Sequence, residues 1–130
     1  MAVALVDTSC WIDYLRHGTS QPSHVLETLL KTDQAALCGV IEAELLRGLR
    51  EEERDSVETL LGALPYLEMG REDYRTAGAL LGSLRSKGVT LPLTDGLIAA
   101  VCLRYDLPLL TLDKHFSNIP GLRLYPTRSY

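Results

Sequence analysis

Apolar residues recur along this chain in two rhythms, short unbroken runs and helical stripes. The first run, Val3 to Val6, is uniformly apolar, the pattern of a strand buried on both faces of a parallel sheet. Asp7 ends it. Thr8 or Ser9 then caps a helix that carries Trp11, Ile12 and Leu15 on one face and stops near Gly18. Gln21-Pro22 reads as a loop, and Ser23 caps a second helix with the stripe Val25, Leu26, Leu29 and Leu30. Ala35 to Val40 is a second strand, followed by a helix through Glu42, Glu44, Leu45, Leu46 and Leu49. The charge run Glu51 to Asp55 opens a helix that buries Val57, Leu60, Leu61 and Leu64 and ends before Pro65. Tyr66 to Met69 is a short strand. Asp73 to Arg85 is amphipathic, with Ala77, Leu80, Leu81 and Leu84 inward, and Gly88 closes it. Gly78 and Gly82 on that helix offer another helix a close approach. Thr94-Asp95 starts a helix with Leu97, Ile98, Val101, Cys102 and Tyr105. Pro108 ends it and opens a strand, Leu109 to Leu112, that stops at Asp113. Leu122 to Tyr125 is a last candidate strand. This alternation with short connections predicts an α/β/α sandwich around a central, mainly parallel sheet, one domain over residues 1–130.

Composition narrows the partners. The chain has 130 residues, 23% charged and 46% apolar, which excludes a disordered or low-complexity protein and suits one core rather than two. Its net charge is −4, so bulk basicity does not hold it to a nucleic acid. Bound phosphates would need a local Arg patch or a metal. The cysteines, Cys10, Cys38 and Cys102, are odd in number with no CxxC pair, so buried thiols in a reducing cytoplasm are expected. The N-terminal run lacks a basic lead and is cut by Asp7, unlike a signal peptide. No apolar stretch approaches the roughly 20 residues of a membrane helix, and a cytoplasmic protein is expected.

In open parallel sheets, ligands bind outside the carboxyl ends of the strands. Asp7 and Asp113 end two candidate strands, Asp95 begins a helix, and Glu44 lies one turn into the helix after the second strand. Read singly, each acid has a plain alternative. Asp95 suits a cap or a dipole partner, Asp7 and Asp113 suit turns, and Glu44 or its neighbour Glu42 suits a solvated face. Read together, four carboxylates come from four segments, each at a strand-end or helix-start position, and would repel one another if they converge. Such a cluster is tolerable around a multivalent cation, and all-oxygen ligation selects Mg²⁺ or Mn²⁺ over zinc.

Four stretches carry a family resemblance: Val-Asp-Thr-Ser-Cys-Trp-Ile-Asp-Tyr-Leu (6–15), Glu-Leu-Leu-Arg-Gly (44–48), Thr-Asp-Gly-Leu-Ile-Ala-Ala (94–100) and Leu-Thr-Leu-Asp-Lys-His-Phe…Ile-Pro-Gly-Leu (110–122). In this order they resemble PIN-domain ribonucleases, in particular the VapC-type toxins of bacterial toxin–antitoxin pairs. The resemblance implies a PIN-like fold and metal-dependent hydrolysis of RNA at an acidic site. It places Asp7, Glu44, Asp95 and Asp113 in that site and favours Glu44 over Glu42, because Glu44 directly precedes Leu-Leu-Arg-Gly. Asp7 and Asp95 are then the nearest ligands of Mg²⁺, or of Mn²⁺. Glu44 and Asp113 hold outer waters, orient the nucleophile or bind a second ion. Thr8 or Thr111 supplies a hydroxyl beside the site. His115 stands where many relatives carry a further acid. The resemblance also implies a cognate antitoxin, a homodimer or a toxin–antitoxin hetero-oligomer, and no membrane. The antitoxin would lay an apolar segment between two helices and send a basic side chain to the carboxylates. The helices of Val25–Leu30 and Val57–Leu64 are the expected pair.

Ten of the 13 basic residues are Arg, the better bidentate phosphate ligand. Arg47 and Arg50 follow Glu44 and are candidate RNA contacts, or else surface partners of nearby Glu. Trp11 reads as core or interface, and His17 and His24 as surface residues. Two other functions compete. A phosphorelay receiver has similar size and an acidic Mg²⁺ site, but it needs paired acids after its first strand and a mid-chain strand ending in Asp. Here Asp7 is followed by Thr-Ser and the second run ends in Gly39-Val40. A non-catalytic interaction module is separated from a nuclease by metal-dependent RNA cleavage.

Overall fold

The computed structural model describes residues 1–127. The strands β1 (Ala4–Val6), β2 (Ala35–Cys38) and β4 (Leu109–Leu110) are buried at every residue, as uniformly apolar runs require, while β3 (Tyr66–Leu67) is a partly exposed edge. The sheet order is β3-β2-β1-β4 and every pairing is parallel. Leu5 stands opposite Ala36 on one side and Leu109 on the other. The order reverses at β1: the chain leaves it toward β2 and β3 and returns on its far side as β4. The crevice between the carboxyl ends of β1 and β4 is thus the switch point where such sheets bind ligands.

Helices α1 (Thr8–Arg16), α2 (Gln21–Lys31), α3 (Gly39–Gly48), α4 (Arg54–Gly62), α5 (Arg71–Ser86) and α6 (Leu93–Tyr105) connect and flank the strands. Short 3₁₀ segments lie at Glu51–Glu53 and Lys114–Asn118. α1 packs on α2 and α3, α3 on α4 and α6, and α5 on α6. Every residue of α6 from Gly96 to Cys102 is buried, because its sequence is apolar on all faces. Trp11 is fully buried in the main core. The three cysteines are buried and free; burial pushes the Cys10 thiol up to about 12 and Cys38 up to about 11, so both stay neutral. Among the described residues no helix is long and apolar enough to cross a membrane.

Several local expectations change. Helix α2 begins at Gln21 rather than after Pro22. Ser20 is its cap, accepting from Ser23 N, and proline is tolerated in the first turn because its missing N–H would be unpaired there. Ser23 is freed from capping and donates, with Ser20, to Asp13 of α1, which holds that carboxyl below its usual range. Ile12 faces outward, half exposed. Gly39-Val40 belongs to α3. Helix α6 begins at Leu93, with Pro92 as its N-cap. Leu122–Tyr125 makes a single bridge, Leu109 to Leu124, rather than a strand.

Gly78 and Gly82 are open, with nothing near the position of a side chain. The close helix approach falls instead at Gly96 of α6, where a Cβ would sit 2.6 Å from Leu81 Cδ1 and 2.7 Å from its Cγ. Gly96→Ala is expected to cost about 1–3 kcal/mol through overpacking. Adding Leu81→Ala should make the double variant less destabilised than the sum of its singles. Urea unfolding of the four proteins checks this; additivity would show that the contact is not tight.

Candidate active site

Asp7 follows β1 directly and is only 5% exposed. Its backbone caps α1, with φ −71° and ψ 156°, its carbonyl accepting from Cys10 and Trp11 N–H, yet its side chain makes no capping bond. The carboxylate is therefore left for other partners. Oδ2 accepts from Ser9 Oγ at 2.8 Å and from Thr111 Oγ1 at 2.7 Å. Both hydroxyls are engaged in turn: Ser9 Oγ accepts from Leu112 N at 3.1 Å and Thr111 Oγ1 from Asp113 N at 2.9 Å. This mesh ties the end of β1 and the first turn of α1 to the chain just past β4. It occupies Oδ2 and leaves Oδ1 without a protein donor among the described residues.

Glu44, in the middle of α3, accepts from Thr8 Oγ1 at 2.7 Å. Asp113 stands beyond the end of β4, not at it. It caps the 3₁₀ segment Lys114–Asn118 through His115 N at 2.9 Å, and His115 Nδ1 lies 3.0 Å from the same oxygen. Asp95 is the third residue of α6, and no side chain caps that helix. The reading of Asp95 as a cap is thereby excluded. Its carboxyl is pushed up to about 6, first by partial burial and then by the charges of Asp113, Asp7 and Glu44, with a small opposing pull from His115. Asp95 thus lies in the field of the other three predicted acids.

The donors are all oxygen and the field is negative, which fits a hard divalent cation. Among the described residues no three His, Cys, Asp or Glu side chains are already closed to ligating distance. The carboxylates share a field without forming a ready-made cage. Thr8 and Thr111 both touch site acids, so the two hydroxyl candidates serve different carboxylates. Ser9 was not among the predicted site residues; its signal is its place two residues after an acid that ends a strand. Arg47 and Arg50 are exposed on and just past α3, and neither side chain forms an ion pair among the described residues. Arg16 of α1 takes Glu53 with two bonds, at 2.7 and 2.8 Å, and holds that acid down to about 2. Arg128 lies outside the described residues.

The parallel order β3-β2-β1-β4 and an acidic switch point define an α/β protein with a cluster of acids at one sheet edge. The PIN domain family profile matches residues 4–122, and the chain belongs to that family. It is 32% identical to Ribonuclease VapC11 of Mycobacterium tuberculosis over 120 residues, 88% of this chain and 90% of that protein. It is 29% identical to Ribonuclease VapC19 of the same species, over 92% of this chain and 96% of that one. Among solved structures, VapBC2 from Rickettsia felis, bound to a DNA fragment from its promoter, shares the fold with a TM-score of 0.80 at 24% identity, over 95% of this chain and 97% of that one.

Two outcomes are expected at this site. The carboxyl of Asp95 is raised in the folded state, so folding favours its protonated form and its contribution to stability falls as pH rises from about 4 through about 6. Asp95→Asn should therefore melt a few degrees above the parent at pH 7.5 in chelator, and the gap should close as pH falls toward 4. An Asn variant that melts lower at pH 7.5 would overturn this. Ser9→Ala should weaken Mn²⁺ binding about 10–100-fold, the usual cost of losing a residue that orients a ligand, while Ser9→Thr restores most of it. Mn²⁺ titration by calorimetry checks both.

Proposed function

We propose that this chain is a metal-dependent ribonuclease, the toxin of a toxin–antitoxin pair, acting in the cytoplasm. One observation carries the reading: Asp7, Glu44 and Asp113 are tied around one crevice by the Ser9, Thr8 and Thr111 hydroxyls, and the charges of all three bear on Asp95. The ribonuclease relatives that cover most of the chain support it.

Asp7 and Asp95 would hold Mg²⁺, or Mn²⁺, most closely. When bound, the ion supplies Lewis-acid polarisation of the phosphate and positive charge against the charge that develops in hydrolysis. The chain's own groups do the rest. Asp7 is fixed in one rotamer by Ser9 and Thr111, so its free oxygen points one way. Glu44 is oriented by Thr8 and is placed to accept a proton from an attacking water. Asp113, held by His115, orients outer waters. Arg47 and Arg50 are free to take RNA phosphates.

The partner reading rests on a groove. A cavity of about 230 Å³ lies between α1 and α3, lined by Ile12, Leu15, Leu45 and Leu49, with Glu44 also lining it. This differs from the expected pair: the α2 stripe is spent on α1 and β2, and the α4 stripe on α3. An apolar antitoxin segment laid between α1 and α3 would bring a basic side chain toward Glu44. That charge would replace the cation and silence the site without unfolding it.

The test is cleavage of total RNA by the purified chain. Mg²⁺ should support cleavage and chelator should abolish it. Asp7→Asn should lower the rate at least about a hundredfold, since even residues that only orient a metal ligand cost 10–100-fold. Cleavage that survives both chelator and Asp7→Asn would sink the reading.

A further inference from the structure

A cleft of about 600 Å³ lies beside the carboxylates and is unused by the chemistry above. It opens between the N-terminal turn of α2 and the chain after β4. Thr111 and Asp113 line it, so it is continuous with the candidate active site. Pro22, Leu112 and Leu124 give it an apolar lining, and the two leucines are 42% and 41% exposed. Lys114 and His24 also line the cleft. Both are exposed, and neither side chain has a hydrogen-bond or ion-pair partner among the described residues. Asp113 is the one acid among the lining residues, and it belongs to the carboxylate cluster.

We propose that this cleft is a nucleotide subsite, holding one unpaired nucleotide of the RNA strand next to the phosphate being cut. The inference rests on the ribonuclease reading and deepens it. A strand whose phosphate lies at the carboxylates must leave the site over neighbouring residues, and the cleft shares two residues with the site. The volume is in the range that takes a small organic group. An apolar lining with cationic and imidazole donors suits a base face with its phosphate. A paired base hides its faces in the stack, so the strand is single there. Lys114 supplies a point charge for the phosphate. Charge also disfavours the antitoxin's basic side chain as the occupant, since Lys114 would repel it. The shape of the cleft then bears on which base is accepted beside the cut.

The experiment uses the full chain with Lys114→Glu and Leu124→Asp, both at exposed positions. Steady-state cleavage is measured on an oligoribonucleotide with nucleotides on both sides of the cut, and on the shortest fragment the parent still cuts. For the longer RNA, KM should rise roughly tenfold in each variant, the loss expected when one base contact is removed, with kcat nearly unchanged. For the shortest fragment lacking the flanking nucleotide, variants and parent should agree. In the Asp7→Asn background, binding of the labelled longer RNA should weaken by a similar factor on adding Lys114→Glu. Unchanged KM and Kd in both variants would overturn the subsite. A fall in kcat at constant KM would show that Lys114 acts on the Asp113 segment instead. RNA kinetics that hold while antitoxin inhibition is lost would assign the cleft to the protein partner. Should the parent cut no RNA with Mg²⁺, the ribonuclease reading fails first, and the binding series still judges the cleft by itself.

Discussion

The double hydroxyl bond to Asp7 Oδ2 is the constraint on which the site depends. A carboxylate that is 5% exposed at the end of a buried strand needs donors, and Ser9 and Thr111 provide them from two different elements. Because each hydroxyl also accepts a backbone N–H from beyond β4, the same mesh sets where Asp113 stands. The position of one acid is thereby coupled to the position of another across the crevice. The sheet makes this possible: only the pairing of β1 with β4 brings residues 7 and 111 side by side.

The molecule handles its buried and partly buried acids in two ways, and the contrast is informative. Asp73 is 2% exposed, accepts from Gly70 N at 2.7 Å and from Arg104 Nη1 at 2.6 Å, and so is neutralised where it lies. Arg104 also packs its guanidinium over the Tyr105 ring, and Tyr105 donates to Glu68 O, so this network fastens the segment before α5 to α6. Asp13 is likewise satisfied by Ser20 and Ser23, between α1 and α2. Asp95 has no ion pair and no side-chain hydrogen bond among the described residues, and sits in the field of three other carboxylates that His115 only partly offsets. Folding bears that repulsion instead of removing it. Such an unneutralised group is the kind that marks a working site.

If the proposed chemistry holds, the charge balance of the whole chain follows from it. A protein with net charge −4 draws an RNA strand to an edge made attractive by a bound cation, with Arg47, Arg50 and Lys114 nearby as local positive points. The same edge is open to a competitor that brings its own fixed positive charge. Catalysis and inhibition would then use one electrostatic feature, switched by which cation fills it.

The sequence by itself determined the class of fold and singled out the candidate acids. Uniformly apolar runs of four residues have no polar face to show to water, so they become central parallel strands, and stripes at helical spacing become the covering helices. Asp7, Asp95 and Asp113 were legible as candidates because each interrupts or follows such an element at a predictable edge, while Glu44 was separated from Glu42 only by the family resemblance of Glu-Leu-Leu-Arg-Gly. What lay outside its reach depended on contacts between distant segments. Ser20 rather than Ser23 caps α2 because the helix starts at Gln21, and both serines then reach Asp13 of α1. Gly96, not Gly78 or Gly82, takes the close contact because α6 meets α5 at Leu81. The open groove lies between α1 and α3 because the stripes of α2 and α4 find cover elsewhere. Ser9 has a local signal only toward Asp7, two residues before it; its other partners, Thr111 and Leu112, are about a hundred residues away. Local pattern fixes which residues must be buried or capped; only the packed chain decides which distant group satisfies each of them.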